Sequence, residues 1–370
     1  MPLFSEEPSS CVSPSSRSRP KNMAWKVRSG DMNSRLLPVI SFFLGAALTA
    51  ALVFLGATMD VSWRFSQLAA WGSGARDEAK PFAELAELLK NASMEDKTVI
   101  VTSINQAYAA PGSLLDLFLE SFRVGKGTAR LLDHLLIVAV DPLALRTCRS
   151  VHRHCYLLQP AAGAGGAAAA ADPGAEKFFM TPDYLDMMWA RNRFQQTILE
   201  LGFSFLFTDV DILWLRDPMR HIAITSDIAV ASDYFNGDGD SLRNLPNGGF
   251  LYARSAGRTV EFYRRWRAAR ARFPAGTNEQ HILAKTQAAL SRRAGVRMQF
   301  LDTKNCGGFC QLSGDLRRVS TMHANCCTGL ANKVHDLRGV LRDWRNYTAA
   351  PPEVRRRGGF GWTKPGRCIR

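Results

Sequence analysis

The chain has 370 residues, 46% of them apolar and 22% charged, the proportions of a folded protein with room for one large domain plus appendages. Its net charge of +14 suits anionic ligands such as nucleotide diphosphates and acidic polysaccharides. Nucleic acid is not an expected partner: no such motif is present, and much of the charge falls on helix faces and the tail, as at Arg264, Arg265, Arg267, Arg270, Arg272, Arg355, Arg356 and Arg357.

Residues 1–35 are rich in Ser, Pro and Arg without a periodic apolar face, which predicts a disordered tail. They hold six basic and three acidic residues, so +11 of the net charge belongs to the rest of the chain. Residues 36–59 then run for 24 positions without a charge. That exceeds the roughly 20 needed to cross a bilayer, and the apolar core of a cleaved signal peptide is shorter, about 7–15 residues. A retained transmembrane signal-anchor is predicted, with Pro38 in its first turn, where proline is tolerated. Arg17, Arg19, Lys21, Lys26, Arg28 and Arg35 precede the span, whereas Asp60 and Arg64 follow it. Basic residues stay cytoplasmic, so the expected topology is single-pass type II with a lumenal remainder.

Residues 60–96 read as a stem containing a helix over 82–90, and 97–348 as the domain proper. A β-branched strand over 98–105, a helix over 114–122 and a strand over 135–140 predict a parallel βαβ unit. Residues 161–171 contain only Ala and Gly and read as a surface insertion. A helix over 184–201 leads through Gly202 into the apolar run 203–207, which ends at Asp209 and Asp211. Further strands are expected over 227–232, 250–253 and 296–301, and helices over 259–272 and 278–290. The sum is an α/β domain with a mostly parallel sheet, followed by a basic tail at 349–370.

Cys11 falls on the cytosolic side, and the other seven cysteines make an odd set in a disulfide-permissive compartment. Cys148 and Cys155 would close a short loop, and Cys306/Cys310 would pair with Cys326/Cys327. A zinc site built from those four and His323 is the alternative. Asn91-Ala92-Ser93 and Asn346-Tyr347-Thr348 are glycosylation candidates.

The chemistry concentrates at Asp209-Val210-Asp211. Burying charge is costly, so two carboxylates after a buried strand belong where that strand emerges. In an open α/β sheet that is the ligand crevice at the carboxyl ends of the strands. Two acids there suit a hard divalent cation that also grips the phosphates of a nucleotide. Asp211 is expected as a direct ligand and Asp209 as a ligand or a ribose or sugar contact; an exposed turn without metal is the plain alternative. Thr102 and Asn105 end the first strand, where a nucleoside would lie, although strand-end polar residues also cap helices. Lys177 and Arg191 are candidates to balance a diphosphate. Asn247, Gly248 and Gly249 suit a close backbone approach to a donor sugar, or a simple hairpin turn. Asp233 is a candidate for sugar hydroxyls, and Glu279 for the second carboxylate of the groove.

Long stretches of the sequence resemble a plant family of nucleotide-diphospho-sugar transferases, related to Golgi arabinosyl- and xylosyltransferases of cell-wall assembly. They include 111–122, 176–184, the Asp209/Asp211 segment, Asn247-Gly248-Gly249-Phe250, Gly307-Gly308-Phe309-Cys310 and 321–327, within residues 97–347. Glu279-Gln280 departs from the family's Asp-Gln by one methylene. The resemblance implies a GT-A fold, a metal (Mn2+ or Mg2+) held by Asp209 and Asp211 with His323 completing its shell, and retention of anomeric configuration. The implied activity moves a sugar, a pentose, from a UDP-sugar to a cell-wall polysaccharide or glycoprotein in the Golgi membrane. An inactive relative serving as a scaffold subunit of a Golgi complex is the alternative, and a metal-dependent phosphohydrolase a weaker one.

Overall fold

The computed structural model describes residues 82–158 and 181–369, all within one compact unit spanning 78–370. The expected cytosolic tail, the 36–59 span, the Ala/Gly insertion and Lys177 lie outside the described residues. No helix among the described residues is long and apolar enough to cross a membrane.

Helix α1 (82–92) is not a free stem. Its Leu85, Leu89 and Ala92 are buried in the core. Strand β1 (Thr98–Ile104) follows as the sequence predicts. It alternates faces, with Val99 and Val101 in one apolar cluster and Ile100 and Ile104 in the other. A strand buried on both sides needs a continuous apolar run, and that run is the signal read above. Next come α2 (Gln106–Ala109), α3 (Leu114–Val124), β2 (Leu135–Ala139), α4 (Pro142–Val151) and β3 (Cys155–Leu157). The sequence reading did not foresee α4, although Asp141 caps it, accepting from the Ala144 amide at 2.8 Å, with proline at the first helical position. Helix α5 (Pro182–Glu200) leads into β4 (Ser204–Thr208), then β5 (Ile212–Trp214), β6 (Ile228–Ser232) and β7 (Pro246–Ala253). Helices α6 (Gly257–Ala269) and α7 (Glu279–Ala294) precede β8 (Met298–Phe300), β9 (Cys306–Gly308) and β10 (Thr321–His323). The chain closes with α8 (Leu330–Ala349) and α9 (Pro352–Arg357).

The large sheet has seven strands in the order β3-β2-β1-β4-β7-β6-β8. All run parallel except β7, which lies antiparallel between β4 and β6. Helices α5, α6 and α7 supply one covered face, through Ile198, Phe262, Trp266 and Ile282. The other face is covered by α3, α8 and a second sheet of three strands, ordered β5-β10-β9.

Three disulfides are present among the described residues: Cys148–Cys155, Cys310–Cys326 and Cys327–Cys368. Cys306 is the buried free thiol. The expected Cys306 pairing does not occur, and with Cys310, Cys326 and Cys327 bonded to other sulfurs, the zinc alternative keeps only Cys306 and His323, too few for a four-coordinate site. The last bridge pins the tail left unassigned by sequence. Trp362 Nε1 also donates to the Ser313 carbonyl at 2.9 Å, and Asp336 accepts the amides of Arg367 and Cys368 at 3.0 and 2.8 Å. Asn91 and Asn346 are both exposed.

Candidate active site

The antiparallel strand builds the site. Because β7 runs against β4, its entering residues meet the carboxyl end of β4, with Thr208 opposite Phe250. The Asp209 amide accordingly donates to the Gly249 carbonyl at 2.7 Å. Asn247-Gly248-Gly249 is therefore strand and not a hairpin turn. Two residues beyond Asp209 the chain enters the small sheet, where β10 pairs antiparallel with β5 and sets His323 opposite Ile212. That register places the imidazole beside Asp211.

His323 Nε2 lies 3.2 Å from Asp211 Oδ1 and 4.0 Å from Asp209 Oδ2. The donor atoms of Asp209, Asp211 and His323 lie within 4.8 Å of one another. The remaining carboxylate oxygens are held from outside: Arg191 Nη1 meets Asp209 Oδ1 at 3.0 Å, and Lys333 Nζ meets Asp211 Oδ2 at 2.6 Å. Inner oxygens converge while outer ones are braced by cations. Two carboxylate oxygens and one imidazole nitrogen facing one point fit a divalent ion that accepts mixed oxygen and nitrogen donors. Gly249 reinforces that fit, since a Cβ there would come within 2.4 Å of Asp209 Oδ2 and 2.8 Å of His323 Cε1.

Charge explains the protonation of this cluster. Burial opposes charge on Asp211, but the Lys333 ammonium and His323 overcome it and hold its carboxyl well below the usual carboxylate range. Burial likewise disfavours charge on His323 and Lys333, and Asp211 outweighs it, raising both.

These groups line a cleft of about 450 Å³ at the carboxyl edge of the parallel strands. Asn105, Arg191, Asp233, Asn247, Gly249 and Glu279 also line it. Asn105 is almost fully buried, and its Oδ1 caps α2 by accepting from the Tyr108 amide at 3.0 Å. Thr102 does not reach the cleft. It is fully buried in β1, its hydroxyl has no hydrogen-bond partner among the described residues, and strand alternation presents Ser103 to the cleft instead. Arg191 is not free for a diphosphate, because its other arm meets Glu279 Oε1 at 2.8 Å and its guanidinium stacks 4.7 Å over Phe207. Glu279 keeps its second oxygen, Oε2, buried without a hydrogen-bond partner among the described residues. Asp233 Oδ1 accepts from both Asn247 Nδ2 and Asn325 Nδ2, at 2.6 and 2.8 Å. Gly248 itself does not line the cleft, but its amide donates at 2.8 Å to Oε1 of Gln280, which does.

Sequence reasoning missed Lys333, Asn325 and Gln280. Lys333 carried a faint signal, since a cation in the first turn of α8 runs against the helix dipole and needs an anion nearby. Asn325 carried none.

A mostly parallel sheet with an acidic pair at its carboxyl edge, opening into a cleft, defines an α/β protein with a ligand site at the sheet's edge. The chain belongs to the nucleotide-diphospho-sugar transferase family, whose model matches residues 130–337. It is 42% identical over 269 residues to the uncharacterized protein At4g15970 of Arabidopsis thaliana, covering 72% of this chain and 69% of that one. It is 36% identical over 321 residues to At1g28695 of the same plant, covering 85% and 92%. Among solved structures, apo mouse xyloside xylosyltransferase 1 matches at a TM-score of 0.37 with 13% identity, covering 62% of this chain and 98% of that one. The glycosyltransferase GlyE of Streptococcus pneumoniae matches at 0.34 with 12% identity, covering 69% and 65%. At those scores the two structural likenesses bear on neither substrate nor mechanism.

Proposed function

We propose that the chain is a metal-dependent glycosyltransferase of GT-A type that moves a pentose from a UDP-sugar to a cell-wall polysaccharide or glycoprotein, with retention of configuration. One observation carries this reading: Asp209, Asp211 and His323 turn their inner donor atoms to one point of a cleft at the sheet's carboxyl edge. Those three residues would hold Mn2+ or Mg2+, which when bound supplies positive charge against the diphosphate as it departs.

This chain's own residues have the remaining tasks. Arg191 and Lys333 fix the two aspartates so that neither must reorganise when the donor arrives. The two amides on Asp233 orient its carboxylate toward donor-sugar hydroxyls. In the transfer, the bond from the anomeric carbon to the diphosphate oxygen breaks and a bond to the acceptor hydroxyl oxygen forms on the same face. The acceptor proton passes to the departing phosphate oxygen. No separate general base is then required. The type II topology expected from sequence would set this activity on the lumenal side of a single-pass anchor, and the family resemblance implies that the membrane is that of the Golgi.

The test is hydrolysis of a panel of UDP-sugars by the purified protein with Mn2+, with Mg2+ and with chelator. One UDP-pentose turned over with metal and not with chelator is the expected result. UDP binding without turnover of any donor would replace the enzyme with a binding subunit.

A further inference from the structure

A second cavity of about 360 Å³ lies apart from the catalytic cleft and shares none of its lining. Lys126, Arg216, Arg220, Arg317 and Arg355 line it against a single acid, Asp217. That acid is already engaged: its Oδ2 pairs with Arg130 at 2.9 Å, and its Oδ1 accepts the Met219 amide at 3.0 Å. Arg317 has its own partner in Asp315, also at 2.9 Å.

Arg216 is the unusual member. It is 8% exposed, and among the described residues no carboxylate forms an ion pair with it. One arm, Nη1, donates to the Val319 carbonyl at 2.6 Å, and the guanidinium plane stacks 4.6 Å from the Trp344 ring centroid. Burying a guanidinium without a counter-charge is costly unless an anion completes it. Burial draws its pKa below the ordinary arginine value and Arg220 adds to it, although the neighbouring Tyr347 hydroxyl and the more distant Asp315 act the other way. Arg355, over the Tyr347 ring at 5.7 Å, extends the same arrangement outward. Stacked guanidinium forks are pre-oriented for planar or tetrahedral oxyanions. A lone phosphate would leave most of the volume unfilled, and the size matches the lower end of small-ligand pockets, about 300 Å³ and up.

We infer that this cavity binds an oxyanion-bearing sugar, a uronate or a sugar phosphate, at a site separate from the catalytic cleft. Two elements tie it to the cleft. Arg216 follows Asp211 by five residues through β5, and Trp344 follows Lys333 by eleven along α8. Either path is about 16 Å long, on the order of three or four sugar units. If the transferase reading holds, on which this last step rests, the cavity grips an acidic unit of the acceptor while a neighbouring unit reaches the donor.

The binding is tested without turnover, by calorimetric titration of the full chain with trigalacturonate, glucose 6-phosphate, inorganic phosphate and neutral maltotriose. Flotation with phosphatidylserine vesicles runs in parallel. Saturable binding of trigalacturonate or glucose 6-phosphate is expected, at least tenfold weaker in Lys126→Ser/Arg355→Ser. Both substituted residues lie at the cavity's outer part and leave Arg216 in place, so donor hydrolysis should be unchanged. Asp211→Asn should bind these sugars as the wild type does, which separates this site from the catalytic reading. Equal binding of maltotriose, an undiminished double variant, or binding of phosphate or vesicles alone would overturn the inference.

Discussion

The two aspartates at the centre of the cleft belong to differently built halves of the molecule. Asp209 ends β4 of the large sheet; its side chain is 32% exposed and leans on Arg191, which Glu279 holds from α7. Asp211 opens into the small sheet; its side chain is 7% exposed and is clamped between His323 of β10 and Lys333 of α8. The large-sheet half is held by continuous apolar strands under helices. The small-sheet half has strands of three residues each and two covalent bridges, Cys310–Cys326 and Cys327–Cys368. One half is a scaffold that needs only its core; the other is a cover that must be fastened. The ligand point sits on the seam, where each half contributes a carboxylate.

If both halves are needed, removing the more buried acid should have the largest effect. Asp211→Asn keeps the shape while deleting the charge, and donor hydrolysis should fall on the order of 10³-fold, the upper range for loss of one preorganised electrostatic contact. Calorimetric titration with Mn2+ should show binding lost in parallel, and full activity in this variant would detach the ion from the reaction. The fastening is tested next. Cys327 and Cys368 are separated by 41 residues, so Cys327→Ser/Cys368→Ser should lower unfolding free energy by up to about 4 kcal/mol on the chain-entropy view. Amide exchange should quicken first in β9, β10 and the start of α8, with β1 and β4 little changed. On the other side of the seam, Glu279→Gln leaves Arg191 with one charged partner instead of two. Breaking a buried pair costs about 3–5 kcal/mol, and the surviving Asp209 contact places this change near 3. Urea unfolding measures it.

The same division decides what the sequence reveals. The large sheet was legible because each strand is an apolar run closed by polar residues, so β1, β2, β4 and β6 fell within a residue or so of their expected places. Asp209 and Asp211 were legible for the same reason, being acids that follow such a run. The small sheet was not legible. Three-residue strands such as Cys306–Gly308 and Thr321–His323 have no period to detect, and the pairing of β10 with β5, which sets His323 beside Asp211, joins residues more than a hundred apart in sequence. His323 entered only through family resemblance. Lys333 was missed with α8 itself, and Asn325 is defined by tertiary contacts, meeting Asp233 across the cleft and accepting the Cys310 amide. Thr102 shows the opposite error: a polar residue near a strand end was assigned to the ligand when its parity turned it into the core.

Two adjacent glycines give the finest test of the seam. A Cβ on Gly248 would meet nothing closer than Arg191 Nη2 at 3.5 Å, an ordinary contact within the large-sheet half. A Cβ on Gly249 would strike Asp209 from one half at 2.4 Å and His323 from the other at 2.8 Å. Neither position lies at positive φ, so backbone strain does not distinguish them. Gly249→Ala must therefore push the two ligand-bearing side chains apart, and a displacement of about 1 Å at a reacting centre costs on the order of 10²-fold. Gly248→Ala should stay within about threefold of wild type in donor hydrolysis, since ordinary van der Waals contact introduces no overpacking. Equal losses in the two variants would mean that the whole β7 entrance, and not the meeting of the two halves, governs the site. Loss in Gly249→Ala alone, restored in part by raising Mn2+, would locate the damage in the spacing of Asp209 and His323.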